Sequence, residues 1–216
     1  MGAIARAAAN NITTSGVFTS GAIANSSVTG ITVLANASDG ITLISSQTAS
    51  NTASVSFTSG ITSTYKAYKF VFANIYMHSD QEVLTFNMST DGGSNYNVTK
   101  TTTAFNSQHS EAGTDAGIGY QTGFDNAQST GNQHLFMPTG NGADEAGSGT
   151  LTIFNPSSTT YVKHFIGTSN TYHYSNYSMS LFVAGYGNTT SAINAVRFLS
   201  TGGGNITGTI YMYGIK

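Results

Sequence analysis

With 216 residues, a net charge of −2 and only 7% charged residues, the chain is long enough for one sizeable core but far below the roughly one-quarter charge of an ordinary soluble domain. The absence of cysteine excludes disulfides and thiolate metal sites, and seven scattered basic residues exclude the basic stripe that neutralises nucleic-acid phosphates. No apolar run reaches membrane-span length, the N-terminus lacks the apolar core of a secretory signal, and a surface so poor in charge suits a part packed into an assembly better than a free monomer.

Residues 1–40 differ from the rest. Ala3 to Ala9 can make two turns of helix, ended by Asn10-Asn11. Single apolar residues then recur in a small, polar background. This segment cannot bury a core by itself, and charge-rich composition, the usual mark of a disordered tail, is missing. It is expected to be a docking arm ordered along partner chains, with Ile4, Ile12, Val17, Phe18 and Ile23 as contacts.

From Ile41 to Lys216 the pattern is strand after strand. Ala53, Val55 and Phe57 alternate with Ser54, Ser56 and Thr58, a period of two. Tyr65 to Met77 is apolar enough for a central strand buried on both faces. Leu84, Phe86 and Met88 alternate with Thr85, Asn87 and Ser89. Asp91-Gly92-Gly93-Ser94 predicts a hairpin turn, with Tyr96 and Val98 returning, because glycine tolerates positive φ. Further strands are expected from Leu151, over 161–166, 178–184 and 193–199, and over 209–215, the last tucked into a sheet. Between them, 104–148 is Gly-rich and poorly periodic and holds five of the nine acids, so it reads as a long polar loop insertion. The fold class is all-β: an antiparallel, jelly-roll-like β-sandwich with an extended N-terminal arm.

Chemistry-bearing motifs are sparse. No G-x-S-x-G, H-E-x-x-H or P-loop occurs, and the acids of 104–148 match no catalytic spacing, so no catalytic residue and no cofactor are expected. Ser89-Thr90-Asp91-Gly92-Gly93-Ser94-Asn95-Tyr96 is similar to the Asp-box of propellers, but it occurs once, where a propeller repeats it in each blade. The five histidines never fall at short metal-binding spacing, which leaves an ion shared on an oligomer axis, or calcium held by Asp115, Asp125 or Asp144 although the D-x-D-x-D-G pattern is missing. Candidate contacts with a receptor or a neighbouring subunit are His109, Glu111, Asp115, Asp125 and His134 in the long segment. The aromatic cluster Tyr172, Tyr174 and Tyr177 joins them, since tyrosine among Asn and Ser is suited to gripping sugars.

Phe57-Thr58-Ser59-Gly60-Ile61, the run Tyr65 to Ile75, the Ser89–Tyr96 turn, Phe154-Asn155-Pro156-Ser157-Ser158 and the ending Ile210 to Lys216 resemble virion proteins of tailed bacteriophages, marine phages above all. The resemblance covers roughly residues 41–216 and rests on turns and strand ends. It implies a sandwich displayed on the particle, commonly as a trimer, behind an N-terminus that differs between members, and it transfers no catalytic residue. The expectation is therefore a non-enzymatic virion protein, assembled in the host cytoplasm. It would be a homotrimeric tail appendage, docked by its arm to other virion proteins and touching a host surface glycan or receptor, with no nucleic-acid or membrane partner. The alternatives are a capsid decoration protein or head fibre, and a carbohydrate-binding module.

Overall fold

The computed structural model describes residues 40–216. The arm expected over 1–40, with Ile4, Ile12, Val17, Phe18 and Ile23, therefore lies outside the described residues, Gly40 apart. From there the chain forms twelve strands: β1 (Ile41–Thr52), β2 (Ser54–Phe57), β3 (Ala67–Met77), β4 (Leu84–Ser89), β5 (Lys100–Ser110), β6 (Ala116–Tyr120), β7 (Gln133–His134), β8 (Ala146–Phe154), β9 (Lys163–His173), β10 (Tyr177–Gly187), β11 (Ala195–Ser200) and β12 (Ile206–Ile215).

Two antiparallel sheets face each other. One has the order β1-β12-β3-β8-β9-β10-β5-β6 and the other β2-β11-β4-β7. Apart from β4 and β7, which are neighbours in one sheet, successive frame strands alternate between β1-β12-β3-β8 and β2-β11-β4-β7, which is the wiring of a jelly roll with two four-stranded sheets. Two further pairs are added to this frame. The β5–β6 pair is inserted between β4 and β7, the β9–β10 pair between β8 and β11. Both join the same sheet beyond β8.

Alternation places the core. Phe70 and Phe72 of β3 and Phe198 of β11 meet edge to face, each pair at 5.2 Å between ring centroids, and Phe57 of β2 packs 5.4 Å from Phe70. Phe86 of β4 meets Phe165 of β9 at 5.1 Å, so the core continues under the added strands. Tilted and T-shaped contacts of this kind add to the area term that dominates burial. The apolar C-terminal segment is inserted between β1 and β3, as its composition predicts.

Several expectations need correction. The turn at Asp91–Ser94 exists, with Gly92 and Gly93 at φ 74° and 92°, but it makes no hairpin. Both neighbours of β4 are already taken, by β11 and β7, and the chain leaves for the other sheet as β5. The turn closes on itself instead. Asp91 accepts from Ser89 Oγ at 2.7 Å, from Asn95 N at 2.9 Å and from Asn95 Nδ2 at 2.7 Å, and these bonds, Ser89 first, hold its carboxyl down at about 2. The segment 104–148 is not a loop insertion either. It carries the second half of β5, then β6, β7 and the start of β8. Finally, β4 is buried on both faces, not one. Its outward Asn87 donates to the Thr130 carbonyl (3.0 Å) and to Asn132 Oδ1 (3.1 Å), so the chain between β6 and β7 lies over that face as a polar cover.

Candidate functional site

The two added strand pairs end side by side, and their tips are tied together. The Glu111 amide, just past β5, donates to the Asn176 carbonyl in the β9–β10 turn at 3.0 Å. Asn176 makes that turn at φ 61°, its amide donating to the His173 carbonyl at 2.9 Å. Asparagine is among the few non-glycine residues that adopt this left-handed conformation readily. Register does the rest. His109 of β5 stands opposite Ser178 of β10, and Ser178 stands opposite Tyr172 of β9. All three point outward, away from the core, because each strand buries the residues of the other parity.

The result is an open groove of about 390 Å³ lined by His109, Ser110, Glu111, Ala146, Asn170, Thr171, Tyr172 and Ser178. Its floor is amide and hydroxyl: Asn170 Nδ2 donates to Ser178 Oγ at 2.9 Å. His109 Nδ1 donates to the Ser110 carbonyl at 2.9 Å. The rim is anionic. Desolvation, then the neighbouring Glu111, push the Tyr172 hydroxyl above its ordinary range, and Asp144 and Glu145 act in the same direction. Tyr177 is raised by desolvation and then by Asp115, which itself accepts from Gln108 Nε2 at 2.8 Å. His173 sits between Tyr174 (4.1 Å between ring centroids) and Tyr177 (6.0 Å). Burial lowers its pKa, against the pull of Asp80.

Six of the eight candidate residues are thus gathered at one end of the long sheet: His109, Glu111, Asp115, Tyr172, Tyr174 and Tyr177. Asp125 and His134 are not. Asp125 accepts from Tyr120 Oη at 2.7 Å, and Asn126 beside it bonds the backbone of Thr102. That is seven residues down β5 from His109, roughly 23 Å at the usual strand rise. His134 belongs to β7 in the small sheet, where it stacks on Phe124 at 4.4 Å and burial lowers its pKa. Asn170 and Ser178 are groove residues that the sequence reading did not single out. Strand alternation puts Asn170 on the face of Tyr172, but only the pairing of β9 with β10 brings Ser178 beside them.

Chemically, the groove offers neutral donors and acceptors, an aromatic wall and a carboxylate edge. That set suits hydroxyl-rich, uncharged or cationic groups and repels anions. Among the described residues, no three His, Asp or Glu side chains gather as metal ligands. No protein-family model, no curated protein and no solved structure matches the chain.

Proposed function

We propose that this chain is a non-enzymatic structural protein of a tailed-phage virion. It is a trimeric tail appendage that docks through residues 1–40 and displays the jelly roll, with the tips of β5–β6 and β9–β10 facing the host surface. The observation that carries the reading is the construction of the tips. Two strand pairs that the jelly-roll frame does not need extend the sheet and converge on a groove of Tyr172, Glu111, His109 and Asn170. An exposed end built on a rigid sheet is a sound place for a recognition surface. The low charge of the whole chain supports life in an assembly.

The same low charge favours a second reading, a capsid decoration protein or head fibre whose flanks lie against capsomers. The two differ in what the arm touches. A carbohydrate-binding module would use the same groove without an arm.

The test of the tip is direct. The full chain is applied to an array of bacterial surface glycans beside Tyr172→Ala and Glu111→Gln. Binding that falls tenfold or more in Tyr172→Ala, a loss of about 1.4 kcal/mol, is the expected result. Glycan binding unchanged in both variants, or no glycan bound at all, contradicts host contact through this groove.

A further inference from the structure

Among the described residues, nothing covers the outer face of the eight-stranded sheet. Phe105, Ile118, Tyr120, Phe154, Ile166 and Phe182 all point out from it, and each is 39–74% exposed. Phe105 and Phe182, opposite each other on β5 and β10, stack at 4.9 Å with only 8° between their planes. Tyr120 of β6 continues that row. Between the rings lie hollows of about 440 Å³, walled by Phe154, Ile166 and Tyr186, and about 200 Å³, walled by Phe105, Ile166 and Phe182. Among the outward-facing residues of these eight strands, Lys69 alone is charged.

Large exposed apolar patches mark contact surfaces. The occupant follows from charge and area. A face whose one charge is Lys69 is a poor match for a densely charged surface, most of whose ions would be stripped of water and left unpaired. The surface that matches it is the same face of a second copy, which offers the same rings and hollows and, Lys69 apart, nothing to desolvate at high cost. Eight strands about 4.8 Å apart, seven presenting about 30 Å or more of length and the five-residue β6 about half that, outline on the order of 1,000 Å², above the ~800 Å² per partner of a standard stable interface. The edge points the same way. β6 is exposed along its whole length and carries neither Lys nor Pro, the usual guards of a free edge.

We infer that the outer face of the eight-stranded sheet, centred on Phe105, Phe182 and Ile166, is the surface through which copies of this chain associate. The inference deepens the proposed function: it rests on that reading only for where the copies meet, on a particle, and a face that meets its own copy is a pairwise contact, separate from the threefold one of the proposed trimer.

Sedimentation velocity of the full chain at micromolar concentration tests it, beside Phe182→Glu, Ile166→Lys and a control, Tyr161→Glu, which is exposed but lies between β8 and β9, outside the sheet. Wild type and control are expected to sediment as one oligomer, and the two face variants to dissociate at protein concentrations tenfold or more higher, with an unchanged β-sheet circular dichroism spectrum. A wild type that is monomeric, or face variants that keep its oligomer, overturns the proposal. Because the chain has no cysteine, Ser180→Cys supplies a second readout that does not depend on a charged variant folding. Association should slow maleimide labelling of that thiol as concentration rises, and a rate independent of concentration contradicts the contact. Either failure leaves the virion reading intact, because that reading is tested on the particle.

Discussion

At the scale of single residues, the least expected feature is a lysine in the core. Lys100 is fully buried, and its ammonium donates to Asn87 Oδ1 and to the Val98 carbonyl, each at 2.7 Å, with no carboxylate beside it. Burial pushes its pKa down to about 8. The sign of the consequence is fixed by linkage. Between pH 8 and the unfolded value of 10.5 the unfolded chain holds a proton that the folded chain has shed, so the contribution of Lys100 to stability improves as pH rises through that window and is at its worst below it. Lys100→Met removes the titration. Urea unfolding at pH 7 and pH 10 should show wild type gaining on Lys100→Met by about 1–3 kcal/mol between the two, and parallel pH curves would refute the account. In the sequence, Lys100 is one of seven scattered cations. Its burial depends on Asn87 and on the loop that crosses it, and those meet only in the folded chain. The candidate contact residues were more legible. Tyrosine, histidine and carboxylate stood out by type, and six of eight fell together because hairpin tips concentrate the turn-formers and polar residues that the eye selects. Asp125 and His134 share the composition of the tip segment but not its place, because β5 and β6 carry the chain the length of the sheet before Asp125 is reached.

At the scale of elements, β2 was readable from its alternation, while β3, expected to be buried on both faces, buries only one, because the sheet's other face is left open among the described residues. The expected hairpin after β4 shows the limit of that reading. A turn sequence reports local backbone preference, whereas pairing is decided by which edge is free, and β4 had none. The 104–148 segment shows the converse. β6 is Ala-Gly-Ile-Gly-Tyr, with Gly117 and Gly119 on the side turned from its outward residues, so it lacks a buried face and carries no core signal, although it pairs with β5 along its length. The most constrained joint is where the added strands meet the jelly-roll frame. At Gly149 of β8, a Cβ would run into the Thr168 carbonyl oxygen and approach Ser169 Cα at 2.8 Å, backbone atoms that cannot turn aside. Gly149→Val should therefore cost about 1–3 kcal/mol of stability, measured as a lowered urea midpoint, by forcing β8 from β9. An unchanged midpoint would mean that this joint is looser than the close approach of the two backbones requires.

At the scale of the whole molecule, charge poverty was the most informative property of the sequence, and the fold gives it a location. Among the described residues, the long sheet leaves one face uncovered and almost free of charge, while carboxylates and tyrosines collect at its end. On the proposed reading, that is a side for neighbours and a tip for recognition, the division of labour of a repeated part in a larger particle. The jelly roll was inferred from many short strands and turn clusters, and its alternating wiring is present. The second, added layer of topology was invisible, because nothing in a strand's own residues says that it will extend an existing sheet. Cryo-electron microscopy of the proposed phage particle tests the central claim most directly. The account predicts density for this jelly roll in several copies on the tail, with the β5–β6 and β9–β10 tips pointing outward and residues 1–40 running into a neighbouring virion protein. Density on the capsid lattice would exchange the tail role for capsid decoration, and particles without the chain would contradict the account.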